Sequence, residues 1–209
     1  MLEKKGSPAM TAELLTAFIL FAFVSSATPG PNNMMLLASG VNYGFRRTLP
    51  HMFGISLGHM VMVITMGLGL GQLFSLYPSL HMALKVVATA YLLYLAWKIA
   101  NAAPPTPKQA SGKPFGFFQA AAFQWVNPKA WVMAIGAVTT YLPVQDFNSN
   151  LLLIALLFAL INLPSVSLWT LFGMALRTLL NSPMRLRAFN WTMAALLVIS
   201  LYPILLSTH

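Results

Sequence analysis

Two short strings hold most of the chemistry this sequence offers: TPGPNN at residues 28–33 and NPKAW at 127–131. Each interrupts an otherwise apolar stretch with prolines and amide side chains. A proline inside a helix removes an N–H donor and clashes with the preceding turn, so each string predicts a broken helix. A broken helix presents free N–H groups and a positive dipole end, which suit a carboxylate. The carbonyls freed on the other side of the break suit an ammonium group. Asn32, Asn33 and Asn127 each carry both donor and acceptor, so they can satisfy either end of an amino acid. One proline kink alone would read as structural, since membrane helices tolerate them. Two, each with amides and one with a lysine, read as a binding site for a zwitterion. The candidate substrate-binding residues are Pro29, Gly30, Pro31, Asn32, Asn33, Asn127, Pro128 and Lys129. Lys129 falls at the centre of an apolar run, where a charge is costly and usually functional. Lys85 and Lys98, near the ends of theirs, can reach an interface; Lys129 cannot. Two roles stay open for it: binding the substrate carboxylate, or bonding the exposed carbonyls of the breaks.

The elements that must position these residues are membrane helices. Of 209 residues 58% are apolar and only 7% charged, with a mean hydropathy of +0.73. A soluble domain carries about a quarter charged residues, so this chain could not cover a water-facing surface. Six continuously apolar runs, about 14–41, 48–74, 79–101, 115–142, 149–176 and 187–206, predict six transmembrane helices. They do not alternate, so the fold class is all-α and not a barrel. The runs form a single transmembrane domain over residues 1–209. A polar, Pro-rich linker at 102–114 divides it into halves of about 10–101 and 115–206. Three spans per half make the second half enter from the opposite side, an inverted repeat. The first and fourth spans begin 101 residues apart, as do the second and fifth. The interrupted first and fourth spans hold about 28 residues each. Fully helical, that is roughly 42 Å at 1.5 Å per residue, longer than a hydrocarbon core of about 30 Å. Each is therefore expected to break near mid-membrane, and matched breaks in two halves point to a transporter's site.

The net charge of +9 is a topology signal, not a nucleic-acid signal. Arg46, Arg47, Lys98, Lys108, Lys113, Arg177, Arg185 and Arg187 all fall on one side of such a bundle. The positive-inside rule puts that side in the cytoplasm and both termini outside. Lys4 and Lys5 pull the other way, a conflict that a start at Met10 instead of Met1 would remove. The apolar run after them resumes past its break, so it reads as a retained first helix and not a cleaved signal. With no cysteine, thiolate metal sites and Cys nucleophiles are excluded. His51 and His59 lie eight residues apart, about 80° around a helix, with no carboxylate to complete a metal or catalytic site. No enzyme and no cofactor are implied.

TPGPNN (28–33), GISLGH (54–59), AYLLYLAWK (90–98) and NPKAW (127–131) together resemble the LysE/RhtB family of bacterial amino-acid exporters. The resemblance implies a multi-pass inner-membrane carrier that exports amino acids or their derivatives in exchange for protons. It assigns importance to Pro29, Gly30, Pro31, Asn32, Asn33, Asn127 and Pro128. Many family members carry an aspartate where this chain has His59. The acids here are Glu3, Glu13 and Asp146, near span ends or in loops. A basic substrate would thus meet Lys129 without a counter-ion, and a neutral amino acid or small derivative fits better. His59 is the candidate proton carrier, because imidazole titrates near neutral pH. The plainer reading of His59, which its apolar surroundings favour, is a neutral core histidine hydrogen-bonded to a neighbouring helix. An uptake carrier or a small-solute channel of the same fold is the alternative function.

Further expectations concern packing. Gly54 and Gly58, then Gly67 and Gly71, form small-xxx-small pairs for close helix contact. That contact is read as lying inside the bundle, and a homo-oligomer stays open. Pro164 is expected to hinge the fifth span, with Asn162 and Ser165 along the path, and Trp125 and Trp131, which flank the fourth-span break, to cap the cavity.

Overall fold

Prolines mark where helices begin as well as where they break. Pro31, Pro128 and Pro183 each occupy the first turn of a helix, where the missing N–H costs nothing and φ is already set. Thr11 Oγ1 accepts from Leu14 N and caps a further helix, and Ser182 Oγ accepts from Arg185 N ahead of Pro183, both at 3.2 Å. The computed structural model describes residues 10–70, 78–102, 113–180 and 182–200. Its helices are α1 Ala12–Ala27, α2 Pro31–Tyr43, α3 Phe45–Thr65, α4 Pro78–Ala100, α5 Phe117–Phe123, α6 Pro128–Tyr141, α7 Phe147–Arg177 and α8 Pro183–Ile199. A π-turn, Met66–Leu70, extends α3, and a 3-10 turn, Gln124–Val126, follows α5. No strand occurs among the described residues. Glu3, Lys4, Lys5, Gly71, linker residues 103–112 with Lys108, and positions 201–206 of the sixth run lie outside them.

The apolar runs emerge as helices close to their expected limits. Phe45–Leu70 and Phe147–Arg177 are each long and apolar enough to cross a membrane. Ala12–Ala27 and Pro31–Tyr43 pass the same test together and meet at a 53° bend. The 117–141 stretch is likewise interrupted, with Asn127 extended between the 3-10 turn and α6. Thus both strings interrupt helices as expected.

α7 is the pillar against which α1, α2 and α3 pack, while α3 also packs on α5 and α4 on α8. Buried Phe18, Met62 and Phe158 centre one apolar cluster; Leu92, Leu95, Phe123 and Leu197 centre another. Glycines set the closest approaches. A Cβ on Gly40 would run into the Thr170 carbonyl, and one on Gly173 into that of Leu37, so α2 and α7 touch backbone to backbone. Gly54 and Gly58 do the same for α3 against Phe117 and Ala121 of α5, inside the bundle as expected. Gly44, at φ +80, makes the α2–α3 corner in a left-handed conformation that favours glycine.

The described residues of the three basic connections gather at one end of the bundle. Phe45 N at the α2–α3 corner donates to Met174 Sδ near the end of α7 at 3.1 Å. Asn190 of α8 donates to Ala102 O, after α4, at 3.1 Å, and exchanges hydrogen bonds with Asn42 of α2. Arg46, Arg47, Lys98, Lys113, Arg177, Arg185 and Arg187 flank these junctions. Glu13 and Asp146 sit at the far starts of α1 and α7.

Candidate functional site

A helix that stops inside a bundle leaves its last carbonyls without partners, and in a membrane each must be met. At the end of α1 every one is met. Val24 O accepts from Thr28 N at 3.0 Å and Ser25 O from Thr28 Oγ1 at 3.0 Å. Ser26 O accepts from Asn33 Nδ2 at 2.8 Å, and Ala27 O from Trp169 Nε1 of α7 at 3.0 Å. Thr28 O accepts from Asn33 Nδ2 at 2.8 Å and from Lys129 Nζ at 2.6 Å. Lys129 Nζ also donates to Thr28 Oγ1 at 2.9 Å and to Pro29 O at 3.2 Å. The second break therefore places its lysine on the first. Of the two roles left open for Lys129, bonding the exposed carbonyls is the one this conformation displays.

Gly30 makes that approach feasible: a Cβ there would meet Lys129 Cδ at 2.7 Å and Nζ at 3.2 Å. Gly30 itself is extended, at φ 177 and ψ 176, and serves as N-cap of α2. With Pro31 at the first position, the Asn32 and Asn33 N–H groups open α2 with no acceptor in their own helix. At the other break Asn127 Oδ1 accepts from Lys129 N at 3.2 Å and caps α6 ahead of Pro128.

A second cross-link joins the breaks directly. Asn32 Nδ2 donates to Gln124 Oε1 at 2.9 Å, and Gln124 Nε2 returns a bond to Asn32 Oδ1 at 3.3 Å and another to Ala120 O at 2.8 Å. α7 supplies the floor: Asn162 Nδ2 donates to Ser26 Oγ at 3.1 Å and its Oδ1 accepts from Ser56 Oγ of α3 at 2.9 Å. Asn32, Asn33, His59, Gln124, Lys129 and Asn162 line a cavity of about 20 Å³, room for roughly one water molecule. Ile55, Met133 and Val166 complete its wall with apolar surface. The described conformation thus leaves little free volume, and its amide and ammonium groups are paired with one another or with backbone carbonyls.

Of the residues singled out in the sequence, Gly30, Asn32, Asn33, Asn127, Lys129 and His59 converge on this cavity. Pro29 contributes its carbonyl, while Pro31 and Pro128 start the two half-helices. Asn162 lines the cavity as anticipated, but Ser165 turns back on its own helix and donates to Ile161 O at 3.0 Å. Trp131 Nε1 donates to Trp125 O at 2.8 Å and the two rings pack edge to face, bracing the α5–α6 break without lining the cavity. The hydrogen bond expected for His59 is absent. Its ring is buried edge-on against Phe158, centroids 4.6 Å apart, and neither nitrogen has a partner. Gln124 and Trp169 are the contributors that sequence reasoning missed. Gln124 stands three residues before Asn127, a polar residue in an apolar run, and that was the available signal.

The family model for LysE type translocators matches residues 23–202. The chain belongs to the LysE-type translocator family.

It is 34% identical over 190 residues to the cysteine/O-acetylserine efflux protein of Klebsiella pneumoniae, covering 90% of this chain and 95% of that one. The proteins of the same description from Salmonella typhimurium and Escherichia coli K12 are 36% and 33% identical over 168 residues, 78% of this chain and 84% of theirs. No solved structure matches the chain. As a LysE-type translocator it is a membrane transporter and not an enzyme, and both breaks fall within the matched residues.

In this translocator the Asn32–Gln124 pair makes a specific demand. Gln124→Leu removes one side of the pair and leaves the Asn32 amide inside the cavity with its partner gone, at a cost of about 1–3 kcal/mol. Transport should fall by roughly an order of magnitude at 1.4 kcal/mol per decade, and Gln124→Glu should not restore it. Initial transport rates per unit of folded protein measure this.

Proposed function

We propose that this translocator exports small neutral amino acids of the cysteine and O-acetylserine class across a bacterial inner membrane, by exchange for protons. The observation that carries the reading is the Lys129 ammonium seated on the Thr28 and Pro29 carbonyls. Those carbonyls are a site for a cation, and a substrate ammonium has the same chemistry. When it arrives it takes over the carbonyls, and Lys129 and the Asn32 and Asn33 N–H groups turn to the carboxylate. Ile55, Met133 and Val166 offer apolar surface for a thiol or an acetyl group. The cavity holds no carboxylate among its lining residues, which disfavours a second positive charge on the substrate. The names of the relatives agree in class.

The bundle is read as six spans in two inverted halves, α1–α4 and α5–α8, with the first and fourth broken near mid-membrane. Support comes from matched contacts: α1 packs on α7 as α5 packs on α3, and α2 packs on α7 as α6 packs on α3. The end bearing the arginines is assigned to the cytoplasm and both termini to the periplasm. His59 is the proton carrier: it lines the cavity, its ring nitrogens have no protein partner, and it faces no acid among the cavity residues.

Inside-out vesicles containing the protein test the reading. Labelled cysteine or O-acetylserine should enter saturably, faster under an interior-acid gradient, and lysine should not compete. Strong uptake of lysine or arginine would overturn the substrate class. His59→Asn should retain substrate-for-substrate counterflow but lose the response to the gradient. Gradient stimulation that survives this substitution would remove His59 from the coupling step.

A further inference from the structure

A second cavity lies at the basic end of the bundle. It measures about 30 Å³ and is lined by Ser39 and Asn42 of α2, His51 of α3, Lys98 at the end of α4, and Lys113 and Phe115 ahead of α5. Three features mark it as built to meet an anion. Lys98 is half-buried and has no carboxylate partner among the described residues; its Nζ lies over the Phe115 ring, 4.8 Å from the centroid. Lys113, exposed, adds a second positive charge at the rim. His51 is fully buried, packs on Phe115 with centroids 5.2 Å apart, and neither ring nitrogen has a hydrogen-bond partner. A buried unpaired donor is costly, and a ligand that pairs with it removes that cost.

The second cavity is also in line with the first. On α3, His51 lines the outer cavity, and Ile55 and His59 line the inner one. Their spacing of four places them on one face, about 12 Å from end to end at 1.5 Å per residue. On α2, Asn32 lines the inner cavity, while Met35, Ser39 and Asn42 line the outer one at steps of three and four. Two helices therefore share a continuous face that runs from the lysines to the broken-helix site.

We infer that the outer cavity is a loading subsite: Lys98 and Lys113 capture the substrate carboxylate at the basic mouth, and the α2–α3 face leads it inward to the Lys129 site. This rests on the export reading above, and it adds a second binding position and a directional asymmetry. The lysines supply long-range attraction and raise the local concentration of an anion-bearing solute at the mouth. The His51 ring supplies the N–H that a carboxylate oxygen meets as it leaves water.

The absence of cysteine makes the test clean, since an introduced thiol is unique. Ala102→Cys places it on the wall of the outer cavity, and the full chain is reconstituted in vesicles. A negatively charged thiosulfonate reagent should modify it at least tenfold faster than a positively charged reagent of the same size. Lys98→Gln should erase that preference, and cysteic acid, an amino acid without a thiol, should slow labelling more than its amine analogue lacking the carboxylate. Equal labelling by both reagents would overturn the inference. So would protection by anionic phospholipid with none from the carboxylate solute, which would assign the cavity to a lipid headgroup. In transport, Lys98→Gln should raise the half-saturating substrate concentration about tenfold at the basic face and leave the opposite face unchanged. An equal rise at both faces, or none, would refute the loading role. Loss of wild-type transport of every amino acid would instead strike the export reading, while the reagent preference would still report on the cavity.

Discussion

Lys129→Ala should reduce transport by at least tenfold while the protein still reaches the membrane and purifies as a folded species. The substitution removes three hydrogen bonds at once: to Thr28 O, Thr28 Oγ1 and Pro29 O. Hydrogen bonds to a charged group are worth about 1.5–3 kcal/mol each, so even one that matters in the transport cycle is worth a decade or more. Folding is spared in part because Asn33 Nδ2 keeps hold of Thr28 O at 2.8 Å and Trp169 keeps hold of Ala27 O. Pro29 O is the acceptor left without its partner. Lys129→Arg separates charge from shape. Gly30 admits the lysine stem only because it has no Cβ, which leaves little room for a guanidinium. Arginine should therefore recover only part of the rate, and Gly30→Ala should resemble it. Steady-state transport alongside a detergent melting curve measures all three. Normal transport by Lys129→Ala at full expression would show that the lysine is only a brace.

Gly40→Leu and Gly173→Leu should each abolish accumulation of folded protein or lower its melting temperature severely. The atoms that a side chain would strike are backbone carbonyls, Thr170 O and Leu37 O, which cannot rotate away as a side chain can. Overpacking a tight contact costs about 1–3 kcal/mol for one extra methylene or so, and leucine adds several. The damage would reach the site, because α2 carries Asn32 and Asn33 and α7 carries Asn162 and Trp169. Gly40→Ala is the graded version and should lower stability by about 1–3 kcal/mol, with transport falling in parallel. The measurement is thermal unfolding of purified protein, read beside vesicle transport. A Gly67→Ala control meets only the movable Leu151 side chain and should be milder.

These expectations draw unequally on sequence and structure. The helical class, the apolar runs that become helices and the two interruptions were legible in the residues alone. A run of apolar residues has few stable options in a bilayer, and a proline removes its N–H wherever it stands. TPGPNN and NPKAW announce breaks locally, without reference to any partner. The grouping of basic residues at one end was equally legible, because charge is counted along the chain. The proposed preference for a neutral substrate rests on the same count, since the chain's acids lie near span ends or in loops.

The pairing of groups across the site came only with tertiary structure. Thr28 meets Lys129, Asn32 meets Gln124 and Ala27 meets Trp169 over separations of 92 to 142 residues. A membrane helix is apolar on both its lipid and its protein faces, so hydropathy does not mark the side that turns inward. That side is set by where backbones can approach, at Gly40 against Thr170 and Gly58 against Ala121. His59 shows the limit most plainly: its spacing placed it on an apolar face, yet only the packing against Phe158 shows its nitrogens unpaired. Local covalent chemistry decides where a helix must break; the rotation of each helix against its neighbours decides which groups repair the break.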